Sequence, residues 1–366
     1  MFVTIRSYNI SDKADYIKYR FELVNIECKT EYENESYKVQ VQNNQVEAAV
    51  DELLKIHTEY PNENFARIAN PNELLRILIP IDFSDKSLEA AKYALDIATK
   101  RPVELKLLHV WNDEMSDSMA MRNSYMVEDF IRIQRNEQKN EISASLDIFS
   151  KKLHKLITET QTQKNLLYHF TIAEGSVSKQ IEMTISHYKP HLVITGHNTD
   201  KKTKFRISRE VVNGIIDLAC CPVYYIPHKV SYIPFDILNI MYATNFHKHE
   251  LESFNLITEL AKGYNTHIHC LHVLQEGSLL EAEEKMLKLI NNIKSETSLD
   301  AKIHGDILSN TKLLEGFNRF IEEKKIDMLA FTSPEYGVWH KLFNPDNLRN
   351  IMKGSSLPLL IFRHKD

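Results

Sequence analysis

Glycine is scarce in this chain. The sequence has 366 residues and only nine glycines, and the first is Gly175. Ordinary usage of roughly 7% would give about 26. Loops that cradle phosphate need glycine, because their backbone must reach φ > 0 and approach the ligand closely. No G-x-x-x-x-G-K-[ST] run and no G-x-G-x-x-G run occurs anywhere. The common P-loop and dinucleotide fingerprints are therefore excluded.

Other absences narrow the class further. The four cysteines, Cys28, Cys220, Cys221 and Cys270, show neither disulfide-framework nor zinc-knuckle spacing. They read as reduced thiols of a cytoplasmic protein. No apolar run approaches the roughly 18 residues of a membrane span, and MFVTIRSYNISDK at the start lacks the pattern of a secretory signal. The net charge of −5 argues against a nucleic-acid-coating protein. No G-x-S-x-G elbow is present. The adjacent Cys220 and Cys221 precede an apolar strand, where thiols are usually packing residues.

What is present begins with a small α+β unit over residues 1–60, of order β-α-β-β-α. FVTIRSY (2–8) is strand-like, Ala14, Ile17, Phe21 and Val24 recur at helical spacing, and ENES (33–36) separates two alternating runs. Val46, Val50, Leu53, Leu54 and His57 then share a helical face. A unit of about 60 residues is marginal alone, which predicts docking on a neighbour. Residues 61–75, with Pro61 and Pro71, read as a linker.

Beyond it lies an internal repeat. LIPIDFS (78–84) matches MYATNFH (241–247), and LLHV (107–110) matches CLHV (270–273), 163 positions later in each case. HLVITG (191–196) matches DMLAFT (327–332), and CCPVYYI (220–226) matches SLPLLIF (356–362), now 136 positions later. The first copy therefore holds 27 extra residues, within 111–165, which read as one long helix or two shorter ones. Each copy alternates strands and helices, and its strands are continuous apolar runs. That pattern predicts parallel sheets covered on both faces, doubly wound by right-handed crossovers.

These landmarks, ILIPID (77–82), the L-H-V strand end and the closing C-P-V strand, resemble those of the universal stress protein family. Residues 76–228 and 238–366 are similar to two tandem domains of that family. The N-terminal unit resembles, by pattern alone over YKVQVQNNQVEAAVDELLK (37–55), a small signal-transducing βαββα domain. The resemblance implies two Rossmann-like five-stranded sheets of order 3-2-1-4-5, with ligand at the point where the order reverses. It also implies pairing of the copies through 222–227 and 357–362 as an internal pseudo-dimer, with homodimerisation as a further expectation.

Nucleotide-binding members use a strand-1 aspartate and strand-2 backbone at the adenine. A loop of form G-x-x-G, nine residues, then G-[ST] holds the phosphates. Carried over residue by residue, copy one has Asp82, Val110, Gly196, then Thr199 for the second glycine and Arg209-Glu210 for the last pair. Copy two has Asn245, Val273, Thr332, Glu335 and Pro345-Asp346. The spacing survives while the chemistry departs, because carboxylates stand where phosphates would lie and Pro345 offers no N–H. In copy one, Lys201, Lys202, Lys204 and Arg206 either meet an anion through side chains or form a solvated basic loop. The expectation is a non-catalytic stress-response or signalling protein that binds an unidentified protein partner or small ligand. ATP binding in copy one alone is the alternative. His247, His249, His267, His269 and His272 crowd copy two without a completed zinc-ligand spacing, so no metal site is assigned.

Overall fold

The computed structural model describes residues 2–8, 11–33, 36–59, 74–111, 125–162, 165–200, 203, 206–228, 230, 232, 237–247, 250–261, 263–274, 277–297, 301–309, 313–332 and 357–363. The 61–73 part of the linker and the loop positions Lys201, Lys202, Lys204, Glu335, Pro345 and Asp346 lie outside them, as does His249. The chain divides into two compact units, Met1–His191 and Leu192–Asp366.

The first unit starts with a three-stranded antiparallel sheet. Its strands are β1 (Phe2–Tyr8), β2 (Cys28–Glu33) and β3 (Ser36–Gln42), with β3 central. Helices α1 (Ser11–Leu23) and α2 (Val46–Glu59) complete it. Its core joins Tyr16, Ile17, Phe21, Val39, Val41 and Ile56 to Leu74 and Leu167, which lie outside the small domain. The domain thus docks through apolar burial. Polar contacts sharpen the fit. Arg20 Nη2 donates to Glu52 Oε1 at 2.6 Å, and Tyr16 donates its hydroxyl to Glu104 Oε1 at 3.2 Å. Arg76 donates to the Tyr19 hydroxyl and, through Nε and Nη2, to the Lys189 carbonyl. Burial pushes the Tyr19 phenol up to about 12.

Next come β4 (Leu75–Pro80), α3 (Asp85–Lys100), β5 (Val103–Trp111), α4 (Tyr125–Glu159), β6 (Leu166–Glu174) and α5 (Val177–Tyr188). β4, β5 and β6 are parallel and adjacent. Every β4 residue is buried, as expected of a strand covered on both faces. Pro80 is the last β4 residue to pair, opposite Leu108, so its missing N–H falls where the ladder ends. The insertion contains one 35-residue helix, α4, whose Phe149, Leu153 and Ile157 are buried.

The second unit contains β7 (Leu192–Gly196), α6 (Arg209–Leu218), β8 (Val223–Ile226), β9 (Ile237–Ala243), α7 (Glu250–Ala261), β10 (Asn265–Leu274) and α8 (Leu279–Glu296). It ends with β11 (Ala301–Ser309), α9 (Leu313–Glu323), β12 (Met328–Thr332) and β13 (Leu359–Phe362). Its strands run in the order β11-β10-β9-β12-β13-β8-β7. All neighbours are parallel except β13 and β8, which pair antiparallel with Leu360 opposite Tyr224. The compact units therefore do not follow the repeat boundary near residue 228. Strand β8 belongs to the first copy in sequence, yet its backbone bonds tie it to the last strand of the second.

Candidate functional site

The strand ends of the first unit place Asp82 and Val110 together. Ile81 N–H donates to the Leu108 carbonyl at 2.8 Å. By strand alternation the Val110 backbone faces the same side, just beyond the end of β4. His109 Nδ1 lies 2.9 Å from the Ile81 carbonyl oxygen, and the His109 ring packs on Phe83 at 4.3 Å. Phe83 has φ of 60°, which lets the chain turn sharply into α3. Burial holds the His109 imidazole below the ordinary range.

Asp82 itself is buried and busy. Its Oδ1 accepts from the Ser84 N–H at 3.1 Å, from the Ser87 hydroxyl at 2.7 Å and from the Ser84 hydroxyl. Its own N–H donates to Ser87 Oγ at 2.9 Å. Ser84 caps α3 by accepting from the Ser87 N–H. The aspartate therefore shapes the turn into α3, whatever it does for a ligand.

The same construction recurs in the second unit, 163 residues on. Thr244 N–H donates to the Leu271 carbonyl at 2.9 Å, His272 Nδ1 lies 2.9 Å from the Thr244 carbonyl, and Phe246 has φ of 63° and packs on His272 at 4.4 Å. Asn245 occupies the Asp82 position and Val273 that of Val110. The acid has moved rather than vanished. Glu250, in register with Ser87, accepts the Asn245 N–H at 2.9 Å and the Thr244 hydroxyl. It is only 3% exposed, and burial raises its carboxyl above the usual range. Comparison with family positions missed Glu250, because its contact with Asn245 spans five residues of chain.

Where the first loop glycine is expected, the two copies diverge. A Cβ on Gly196 would sit 3.1 Å from the Ile226 carbonyl oxygen, so close packing of β7 on β8 already accounts for the glycine. Thr332, its counterpart, is tied down. Its Oγ1 lies 2.7 Å from the Tyr242 hydroxyl and 2.7 Å from Ser253 Oγ. Three hydroxyl groups thus close on one another at the end of β12. Burial pushes the Tyr242 phenol well above its ordinary value.

The loop after β7 is held by its own side chains. His197 stacks on Tyr225, with Nδ1 2.6 Å from the phenolic oxygen, and Arg209 Nη2 approaches His197 Nε2 at 3.5 Å. Arg209 Nε is enclosed without a hydrogen-bond partner. Thr199 Oγ1 lies 3.1 Å from His228 Nε2. Ser208, which the sequence comparison passed over, supplies a hydroxyl one residue before the expected place. It caps α6 by accepting from the Val211 N–H at 3.4 Å. The Ser208 hydroxyl bonded to Glu210 holds that exposed carboxyl below the usual range. An acid and a cap therefore occupy the helix N-terminus that would otherwise draw phosphate.

Among the described residues, no group of three or more histidine, cysteine, aspartate or glutamate side chains is arranged to hold a metal ion. No helix among them is long and apolar enough to cross a membrane.

Comparison with known proteins places one universal stress protein domain at residues 74–227, where the chain matches the model of the universal stress protein family. The chain is similar to a universal stress protein from Archaeoglobus fulgidus, at 17% identity and a TM-score of 0.49, covering 80% of this chain and 97% of that one. A universal stress protein from Lactobacillus plantarum aligns at 18% identity and a TM-score of 0.31, covering 42% of this chain and 97% of the other. A universal stress protein in complex with cAMP aligns at 14% identity and a TM-score of 0.24, covering 42% and 96%. Among curated proteins none matches the chain.

Proposed function

We propose that this protein is a non-catalytic tandem universal stress protein. It acts in stress response or signalling by binding a partner or a small ligand, and the ATP-phosphate loops of both copies are degenerate. Residues 74–227 supply the family match. The second copy is supported by the shared turn at the end of its first strand, with Phe246, His272 and the Thr244 carbonyl standing as Phe83, His109 and the Ile81 carbonyl do. The strand order of the second copy, β11-β10-β9-β12-β13, fits the 3-2-1-4-5 plan. Antiparallel pairing of β8 with β13 supports an internal pseudo-dimer, because it satisfies two sheet edges at once.

The observation that carries degeneracy is the hydroxyl triad of Tyr242, Thr332 and Ser253. A phosphate loop must present free N–H groups and open space. Here the position fills with side chains that satisfy one another. In the first copy, Ser208 takes the Val211 N–H, and Glu210 sets a carboxylate at the α6 N-terminus. The test is calorimetric titration of the full chain with ATP, which is expected to show no saturable heat up to about 1 mM, the range of bare millimolar affinity.

A second reading is an ATP- or AMP-binding sensor using the first copy alone. One observation favours it: Asp82 and the Val110 backbone sit together at the ends of β4 and β5. Nucleotide released by heating freshly purified protein would select this reading over the first.

A further inference from the structure

The histidines of the second copy have a partner set that the sequence did not reveal. His267 and His269 lie on one face of β10, and β11 brings Lys302, His304 and Asp306 beside them on that face. The rings of His269 and His304 stack at 4.8 Å with planes 16° apart, and His267 is 6.0 Å from His304. His269 Nδ1 faces Asp306 Oδ2 at 3.5 Å, a contact that holds the Asp306 carboxyl below its usual range. From the end of α9, Lys324 reaches Asp306 Oδ1 at 3.8 Å, while Phe320 meets His269 edge-on at 5.9 Å.

Neighbouring polar groups on β9 and α9 are paired elsewhere. Asn239 of β9 stands in register with His267, and its N–H and Nδ2 donate to Asp327, at 2.8 and 3.2 Å. On α9, Arg319 pairs with Glu323 at 2.7 Å. His269, His304 and Lys324 therefore share Asp306, while His267 lies beside Lys302.

We infer that this cluster is an acid-responsive latch between β10, the outermost strand β11 and the end of α9. Asp306 balances Lys324 in part. Acidification adds positive charge to rings under 5 Å apart, beside two ammonium groups. The first imidazolium finds a counter-charge in Asp306. Each further one meets repulsion from the rings and ammonium groups already beside it, strongest at His269, the buried member of the cluster. Burial and the neighbouring cations hold His267 and His304 below the ordinary imidazole range. The repulsion thus loosens β11 from β10 as pH falls below about 6.5, the unperturbed histidine value. Because β11 is the outer strand of its sheet, it can leave without breaking a second ladder.

Hydrogen exchange of the full-length protein tests this, with intrinsic rates corrected for pH. Between about pH 7.5 and 5.0, spanning the imidazole range, protection of residues 301–309 is expected to fall roughly tenfold more than that of 328–332 and 359–362. In H267Q/H304Q, changed at two sites outside the buried core, the excess fall is expected to shrink below about threefold. Equal loss across all three strands, or an unchanged excess in the double variant, overturns the latch. Imidazole titration by NMR gives a readout independent of exchange. His304 titrating at or above about 6.5 and unmoved by H267Q also overturns it.

Discussion

Glu250 accepts the backbone N–H of Asn245 at 2.9 Å, the bond that Ser87 makes to the N–H of Asp82 at 2.9 Å in the other copy. The carboxylate and its neutral partner have exchanged places along the same turn. What looks in sequence like loss of an acid is, in the fold, its relocation from the strand end to the first turn of the following helix.

Removing Glu250 is therefore expected to destabilise the second unit. Glu250→Ala removes the bonds that Glu250 accepts from the Thr244 hydroxyl and the Asn245 N–H, at a cost of about 1–3 kcal/mol. Glu250→Gln keeps an acceptor oxygen and should cost less. Burial raises the Glu250 carboxyl, so the folded state binds its proton more readily than the unfolded state. Stability from this group then declines as pH rises from the ordinary glutamate range through the raised value, and is flat above it. Chemical denaturation of wild type and Glu250→Gln across that window reads the sign. A parallel pH dependence in both would exclude Glu250 as its source.

The hydroxyl triad predicts coupling. Thr332→Val strips the shared partner from Tyr242 and Ser253, and Tyr242→Phe removes one arm, each at about 1 kcal/mol or somewhat more. The double variant should cost less than the sum of the two, because both remove one bond. Additive losses would show that the hydroxyl groups act separately.

Docking of the small N-terminal domain depends on Arg20. Its guanidinium bonds Glu52 at 2.6 Å and lies 3.7 Å from Glu104, a residue fully buried in β5. Arg20→Met leaves two buried carboxylates without that cation, for an expected loss of about 3–5 kcal/mol. Thermal unfolding should show a lowered first transition. A change no larger than that of an exposed pair such as Lys151–Asp147 would contradict the role.

Thiol reactivity should rank by burial. Cys220 is exposed, while burial pushes the Cys28 thiol up to about 11 and the Cys270 thiol higher still. A thiol reagent near pH 8 should label Cys220 in the native protein, and Cys270 only after denaturation. Prompt native labelling of Cys270 would contradict its packing in β10.

The turn at the end of β4, and its recurrence at the end of β9, were legible because strand ends leave short, dense signatures. LLHV and CLHV mark corresponding strand ends, and His109 and His272 lie 2.9 Å from corresponding backbone carbonyls, those of Ile81 and Thr244. The apolar runs announced buried parallel strands for the reason β4 is buried throughout. Three things were not legible. Ser208 serves as a helix cap, which depends on where α6 begins. Glu250 compensates for Asn245 through a contact five residues away. His304 and Asp306 meet His269 through strand register, which no local spacing encodes. Gly196 shows a reverse case. Read as a survivor of a phosphate loop, it is explained as well by the nearness of the Ile226 carbonyl.

The central claim is that neither copy holds ATP through the family's phosphate loop. Titrating the full-length, nucleotide-free protein with ATP tests it most directly. No saturable binding below about 1 mM, in wild type and Asp82→Ala alike, is the expected result. Micromolar binding that Asp82→Ala abolishes would contradict it.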